Sequence, residues 1–248
     1  MCKRQGKTVR FVTDFRRLNV SIERHPWPLP RIQDIVQRLE RFDWVTTIDL
    51  NMGYYTIPLT RMAQMQCTTI LPWGKYCYLR LPMGVSPAPD IFQEVMSDIF
   101  GEFDFVVVYI DDVLIITHGS EDMHLDHIAQ VFAVLLEHGF QVNPLKCTFF
   151  AKSAEYLGFL ISRRGLSPLP DRIQAIMTIA PPKTRRELRR FIGMLQMYKD
   201  MWRLRAHNLA PLTRLTSTKL PFVWTAVQKN ACNICKSMNS PSQLTWSL

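Results

Sequence analysis

No run of about 18 apolar residues occurs in the 248-residue chain, so a membrane-spanning helix is not expected. The opening stretch, Met1 to Lys7, holds no apolar core of a signal peptide. The cysteines (Cys2, Cys67, Cys77, Cys147, Cys232 and Cys235) are scattered, with no framework spacing. Reduced thiols in an intracellular, non-secreted protein are therefore expected. Cys232-x-x-Cys235 has no second pair to close a zinc site, so its spacing is taken as incidental. Acid is scarce: 21 Asp and Glu stand against 30 Lys and Arg, a net charge of +9. That sign favours a polyanionic partner, either nucleic acid or an acidic membrane surface. What is present in ordinary amounts, 47% hydrophobic and 21% charged residues, suits a globular fold of one large or two modest domains.

Strand signals dominate the first two thirds. Val9 to Phe15 alternates as a strand does. His25 to Pro30 is extended by its prolines, and Ile32, Ile35, Val36 and Leu39 then repeat at helical spacing. Phe42 to Leu50 is a β-branched and aromatic strand ending in Asp49. Thr56–Thr60 and Gln66–Leu71 are expected as further strands, with Tyr76–Leu81 pairing back across a Pro72–Lys75 turn. A Gly/Pro loop, Pro82–Pro89, precedes a helix with Ile91, Phe92, Val95, Met96, Ile99 and Phe100 on one face. A second helix carries Leu125, Ile128, Ala129, Phe132, Leu135 and Leu136 inward and is capped by Gly139. His124 and His127 are expected on its solvated first turn. Phe140–Asn143 and Glu155–Ile161 are expected as short strands. From about Pro168 helical periods replace strands. Thr184-x-x-Glu187 is a capping box opening a helix with Leu188, Phe191, Ile192, Leu195 and Tyr198 inward. Lys183, Arg185, Arg186, Arg189, Arg190, Lys199, Arg203 and Arg205 crowd this segment. Such a run is either a solvated face or a phosphate-contacting one.

The chemistry concentrates at Asp111 and Asp112, flanked by the apolar runs 105–110 and 113–116. The pattern predicts a hairpin of buried strands with acids at its turn. Ionised carboxylates in apolar surroundings require compensation, and two adjacent like charges raise at least one pKa unless a cation is present. A solvated turn would also accept two Asp. Asp49 ends another strand; side by side in one sheet, the strands would bring Asp49 and Asp111 to a single edge. Paired carboxylates so placed hold two divalent ions about 3.5–4 Å apart in polymerases and nucleases. An oxygen-only donor set suits Mg²⁺.

Tyr109-Ile-Asp-Asp112 resembles the catalytic box of reverse transcriptases. Thr47-Ile-Asp-Leu-Asn-Met-Gly-Tyr54 resembles their first metal-binding motif, and Leu81-Pro-Met-Gly84 through Pro89 and Gln93 their template- and nucleotide-contacting loop and helix. Tyr156-Leu-Gly-Phe159 is similar to the primer-grip hairpin, and Val12–Asn19 with Pro28–Arg31 to the fingers. Order and spacing resemble the polymerases of gypsy-type long-terminal-repeat retrotransposons. The resemblance implies an α+β right-hand fold: fingers over 1–40, a palm with an antiparallel sheet over 41–165 holding inserted fingers strands at about 56–82, partial thumb helices over 166–225 and an atypical tail over 226–248. It implies RNA-directed DNA polymerase activity, extending a primer with deoxynucleoside triphosphates on an RNA or DNA template. Asp49 and Asp111 would hold two Mg²⁺, with Mn²⁺ as a substitute, and Asp112 would support them. The resemblance gives nucleotide contacts to Lys3, Arg10, Leu50, Tyr54, Met83, Gly84 and Lys146. Template or primer contacts fall to Pro89, Gln93, Tyr109, Leu157, Gly158, Arg186 and Arg190. Tyr54 would exclude a 2′-hydroxyl.

Three departures accompany the resemblance. Met1 falls inside or just before the family's fingers turn, so incomplete fingers are expected. Met83 stands where relatives carry Gln or Phe. The pattern past Trp224 leaves the family's course, and ribonuclease H and integrase patterns, normally part of the same polyprotein, are lacking. A truncated element copy in the cytoplasm (within a virus-like particle) or nucleus is expected. The alternative is a silent remnant that only binds nucleic acid.

Overall fold

In the computed structural model, the described residues are 2–5, 8–30, 42–163, 165–198, 201 and 205–237. They form two compact units, Met1–Lys152 and Ser153–Leu248. The expected helix over 32–39 and the tail beyond 237 lie outside the described residues, as do Lys199 and Arg203.

The first unit is organised around a four-stranded antiparallel sheet in the order β6-β7-β3-β8. Its strands are β3 (Trp44–Asp49), β6 (Val106–Tyr109), β7 (Asp112–Thr117) and β8 (Thr148–Ala151). Alternate residues point to opposite faces. On one face Ile48, Val106, Val108, Val113 and Ile115 pack with Phe92, Met96 and Phe100 of the helix Ala88–Phe100 and Ile128, Val131 and Leu135 of the helix Glu121–Glu137. On the other face Val45, Val107, Leu114 and Ile116 are also buried. Burial on both faces is why β6 and β7 are continuous apolar runs rather than alternating ones.

Smaller hairpins precede and interrupt this sheet. β1 (Cys2–Gln5) pairs with β2 (Thr8–Phe11), and β4 (Thr68–Leu71) with β5 (Gly74–Cys77). Helix α1 covers Arg16–Ser21. The strand expected over Thr56–Thr60 is absent among the described residues; a single bridge joins Pro58 to Arg80. Proline lacks the donor that a longer ladder would need there. Arg61–Gln66 is instead a short helix, α2, because Thr60 Oγ1 caps it by accepting from Ala63 N–H at 3.3 Å. Ala88–Phe100 is α3 and Glu121–Glu137 is α4.

The inward face of α4 also differs from expectation. Leu125 and Leu136 are 55% and 80% exposed, while His124 is fully buried. The helix turns a polar residue inward because the sheet meets it with hydroxyls. His124 Nε2 lies 2.8 Å from Thr46 Oγ1, and His124 Nδ1 lies 2.7 Å from Thr117 Oγ1. His127 also reaches Thr117 Oγ1, at 2.8 Å, and stacks on Phe105. Gly139 ends α4 at φ +72°, with its N–H on Leu136 O, as expected of a C-terminal glycine.

In the second unit, β9 (Ser153–Tyr156), β10 (Phe159–Ser162) and β11 (Gly165–Pro168) form a meander. The segment 153–165 therefore clusters with the helices that follow it. These are α5 (Pro170–Thr178), α6 (Arg185–Gln196), α7 (Arg205–Arg214) and α8 (Ala226–Ser237). The capping box at the start of α6 forms with one variation. Thr184 Oγ1 accepts from Glu187 N–H at 3.2 Å, and Glu187 Oε2 accepts from Lys183 N–H at 2.8 Å. Leu188, Phe191, Leu195 and Tyr198 are buried as expected. Cys232 and Cys235 are buried, and burial pushes the Cys235 thiol up to about 12.

Candidate active site

The acids stand at one end of the sheet because of strand register. Asp49 closes β3 and Asp112 opens β7, and the two are paired across the ladder. Directly opposed residues share a face, so both carboxylates stand on the face away from α3 and α4. Asp111 lies in the two-residue turn, Ile110-Asp111, that joins Tyr109 to its partner Asp112. Its carbonyl accepts from Leu50 N–H at 3.3 Å, tying the turn to the end of β3.

The turn is strained. Ile110 has φ +52°, a region that β-branched residues avoid. A buried amide holds it there. Gln93 of α3 accepts from Ile110 N–H through Oε1 at 2.7 Å and donates Nε2–H to Val108 O at 3.3 Å. Gln93 is 1% exposed, and its carboxamide occupies the position that one residue of an adjoining parallel strand would fill. The sequence assigned Gln93 only by resemblance; its buried contact with the turn was not legible there.

Lys146 arrives from the far end of α4. The chain beyond Gly139 returns along β3, with Asn51 N–H on Gln141 O, a Leu50–Val142 bridge and Asn143 N–H on Asp49 O. A 3-10 turn over Pro144–Lys146 follows, capped by Asn143. Lys146 Nζ then sits 3.1 Å from both carboxylate oxygens of Asp49.

Electrostatics mark Asp111 as the tensest group. Burial pushes its carboxyl up to about 6, Asp112 and Asp49 add to the rise, and Lys146 opposes it. Asp112 is raised as well, by burial and then by Asp49. Asp111 Oδ1 is buried without a hydrogen-bond partner. Such an atom is costly unless a cation or donor meets it. Among the described residues no three His, Cys, Asp or Glu side chains close into a metal cage. Mg²⁺ does not require one: it is usually held by one or two carboxylates plus waters and substrate phosphates. An orphaned buried carboxylate oxygen beside two further carboxylates, with oxygen the only donor type, fits such an ion.

Around the acids, Tyr54 lies in the 3-10 turn Gly53–Thr56 with its ring 4.8 Å from that of Phe92. Burial and the nearby Asp111 push the Tyr54 hydroxyl up to about 12. Gly53 fits because a Cβ there would come within 2.7 Å of the Phe92 ring. Met83 lines a cavity of about 340 Å³ with Thr13, Met52, Tyr55 and Tyr78. Gly84, at φ +99°, and Ser86 are fixed by Asn19, a residue outside the predicted set. Asn19 Nδ2 donates to Gly84 O at 2.9 Å, and Asn19 Oδ1 accepts from Ser86 N–H at 2.8 Å. Pro89 is the second residue of α3. Lys3 and Arg10 face each other across the β1–β2 hairpin in backbone register.

The structure thus brings together Asp49, Leu50, Tyr54, Gln93, Tyr109, Asp111, Asp112 and Lys146. Lys3, Arg10, Met83, Gly84 and Pro89 also belong to the first unit, and the remaining predicted contacts belong to the second. Leu157 (φ +50°) and Gly158 (φ +83°) form the turn between β9 and β10. A Cβ on Gly158 would meet Arg172 at 2.9 Å and Met197 at 3.0 Å. Arg186 and Arg190 are exposed on α6.

An antiparallel sheet bearing three carboxylates at one end, with helices on one face, is an α+β fold of the polymerase type. The chain belongs to the reverse transcriptase (RNA-dependent DNA polymerase) family, whose profile matches residues 2–161. It is 30% identical over 245 residues to the Transposon Tf2-3 polyprotein of Schizosaccharomyces pombe, covering 98% of this chain and 18% of that polyprotein. It is 32% identical over 235 residues to the retrovirus-related Pol polyprotein from transposon gypsy of Drosophila melanogaster, covering 90% of this chain and 23% of that one. The chain therefore spans about a fifth of the length of these relatives. Among solved structures, foamy viral protease-reverse transcriptase in complex with double-stranded DNA superposes with a TM-score of 0.88 at 23% identity, over 99% of this chain and 43% of that one. The same protein in complex with an RNA/DNA hybrid gives 0.81 at 25% identity, over 93% and 32%. Among the described residues no helix is long and apolar enough to cross a membrane.

Proposed function

We propose that this chain is the polymerase portion of a retrotransposon polyprotein and extends a primer with deoxynucleotides on an RNA or DNA template. The observation that carries this reading is the register of Asp49 against Asp112 with Asp111 in the adjoining turn, one of its oxygens buried and unpartnered. Asp49 and Asp111 would hold divalent ions, Mg²⁺ by donor type, with Asp112 in support. When bound, such ions lower the pKa of the attacking hydroxyl and neutralise charge on the leaving oxygen.

The chain's own residues do the rest. Gln93 fixes the turn that aims Asp111. Lys146, now on Asp49, is within reach of a triphosphate bound at the acids and supplies a proton or positive charge to the departing pyrophosphate. Tyr54, packed at a tilt against Phe92, forms a wall beside the acids that a ribose 2′-hydroxyl would strike. Met83 and Gly84 line the approach of the nucleotide, and Lys3 and Arg10 supply charge for its phosphates. Pro89 and Tyr109 contact template or primer, as do Leu157 and Gly158, while Arg186 and Arg190 neutralise backbone phosphates. The solved foamy viral proteins bound to DNA and to an RNA/DNA hybrid support the substrate class.

Extension of oligo-dT on poly-rA in the presence of Mg²⁺ tests the reading. Incorporation well above that of an Asp111→Asn variant is expected; equal incorporation by the two would sink it.

A further inference from the structure

The outer edge of β6 lies next to a cavity that the polymerase reading does not use. Ile116 N–H donates to Phe105 O, whereas Val106 N–H turns away from β7 to Phe103 O. Odd-numbered residues of this strand therefore face β7, and even-numbered ones face outward. Gln93 covers the outer edge at its catalytic end, taking Val108 O and Ile110 N–H. One step further from the acids, the outward groups are Val108 N–H and Val106 O. There Pro30, Met96, Phe100, Phe103 and the β6 backbone line a half-open cavity of about 180 Å³, with Gln93 and Ser97 in its wall.

Size and lining define the occupant. An apolar cavity of roughly 150 Å³ admits benzene. This one has apolar walls, a strand edge presenting one donor and one acceptor, and room for a ring of one or two cycles. We propose that it binds a small planar molecule with an amide or lactam edge. The ring would lie among Met96, Phe100 and Phe103. The amide would continue the ladder that Gln93 begins, on Val106 O and Val108 N–H. A ligand seated there shields the Gln93–Ile110 bond from water and stiffens the turn bearing Asp111. Its regulatory consequence rests on the polymerase reading; its binding does not.

The probe is 5-fluoro-oxindole, titrated against the full chain and followed by fluorine NMR. A saturable shift with a Kd on the order of 0.1–1 mM is expected, as suits a ligand of about ten heavy atoms. The N-methylated analogue lacks the donor and should bind at least tenfold more weakly. Equal binding of the two overturns the ladder contact without recourse to mutation. Ser97→Leu narrows the cavity and should weaken the probe at least tenfold, whereas Ser97→Ala should not. Absence of saturable binding to the unaltered chain overturns the site. Under saturating probe, amide exchange at Ile110 should slow severalfold; unchanged exchange with the site filled overturns the coupling to the catalytic turn. Primer extension without probe reports separately on the polymerase reading.

Discussion

Gln93 and Ile110 are joined by a 2.7 Å hydrogen bond in which the Ile110 backbone N–H donates to the Gln93 side-chain oxygen. The bond matters because of where it falls. Ile110 holds a positive φ immediately before Asp111, and Gln93 is buried in the helix beneath. Replacing Gln93 by Leu keeps the volume but leaves Ile110 N–H and Val108 O without that partner. A loss of about 1–3 kcal/mol is expected in urea unfolding. Primer extension should fall about tenfold or more in kcat, with KM for the nucleotide little changed, because the acids are misplaced rather than the nucleotide site. Unaltered kcat would reduce the amide to a space-filling role.

A second test concerns repulsion at the acids. Asp111 is raised to about 6 by burial, Asp112 and Asp49, so its charged form is disfavoured in the folded chain. Asp111→Asn removes that burden. In the presence of a chelator the variant should be more stable than the unaltered chain at pH 7.5, by about 1–2 kcal/mol. It should also lose primer extension. Greater stability with lost activity is the signature of a strained functional group. A variant that lost both would place Asp111 among ordinary structural residues.

How much of this was legible in the sequence differs from residue to residue. The runs 105–108 and 113–116 announced buried strands, because both faces of the sheet are covered. The acids were legible as a group, since Asp49 and the Asp111–Asp112 pair both end apolar strands. Their pairing was not: a ladder's register depends on the partner strand, and it sets Asp112, not Asp111, opposite Asp49. The face of α4 misled for a similar reason. Leu125 and Leu136 fit a helical period, yet the sheet presents Thr46 and Thr117, and His124 turns in to meet them. Asn19 was legible only as the end of the stretch that resembles the fingers, and its contacts were not, because its partners Gly84 and Ser86 lie far away in the chain.

His124 also makes the fold sensitive to acid. Burial, then His127 and Lys152, lower its pKa to about 4. The unfolded value is about 6.5. Between these limits the unfolded chain binds the extra proton, so stability is full above about pH 6.5 and falls as pH drops towards 4. The contribution that disappears by pH 4 is about 2–3 kcal/mol. Asp111 works the other way over part of this range, so the informative quantity is the difference between the unaltered chain and His124→Gln. That difference should be steep between pH 6.5 and 4 in urea midpoints and flat above 7. A flat difference throughout would mean that His124 takes up its proton as readily in the folded protein as in the unfolded chain.

The basic residues of α6 divide into two pairs with opposite expectations. Arg185 donates through Nε to Ser217 O at 3.1 Å and through Nη2 to Leu220 O, and Arg189 donates to Thr216 O at 2.7 Å. These two tie α6 to the residues that follow α7. Arg186 and Arg190 stand one turn apart, exposed, with no hydrogen bond or ion pair among the described residues. Their charges are available to phosphate, and none of the described residues pairs with them. The double variant Arg186→Ala/Arg190→Ala should therefore keep its stability to within about 0.5 kcal/mol. Its affinity for a template–primer duplex should fall, and the slope of log K against log salt should shrink by about 2, roughly 0.9 for each phosphate that is no longer neutralised. Arg185→Ala/Arg189→Ala should do the reverse, costing about 1–3 kcal/mol of stability while changing the slope little. Fluorescence anisotropy across a salt series, read beside urea unfolding, separates the pairs. An unchanged slope in the first variant would show that α6 presents a solvated face, and duplex binding would then have to be sought elsewhere on the chain.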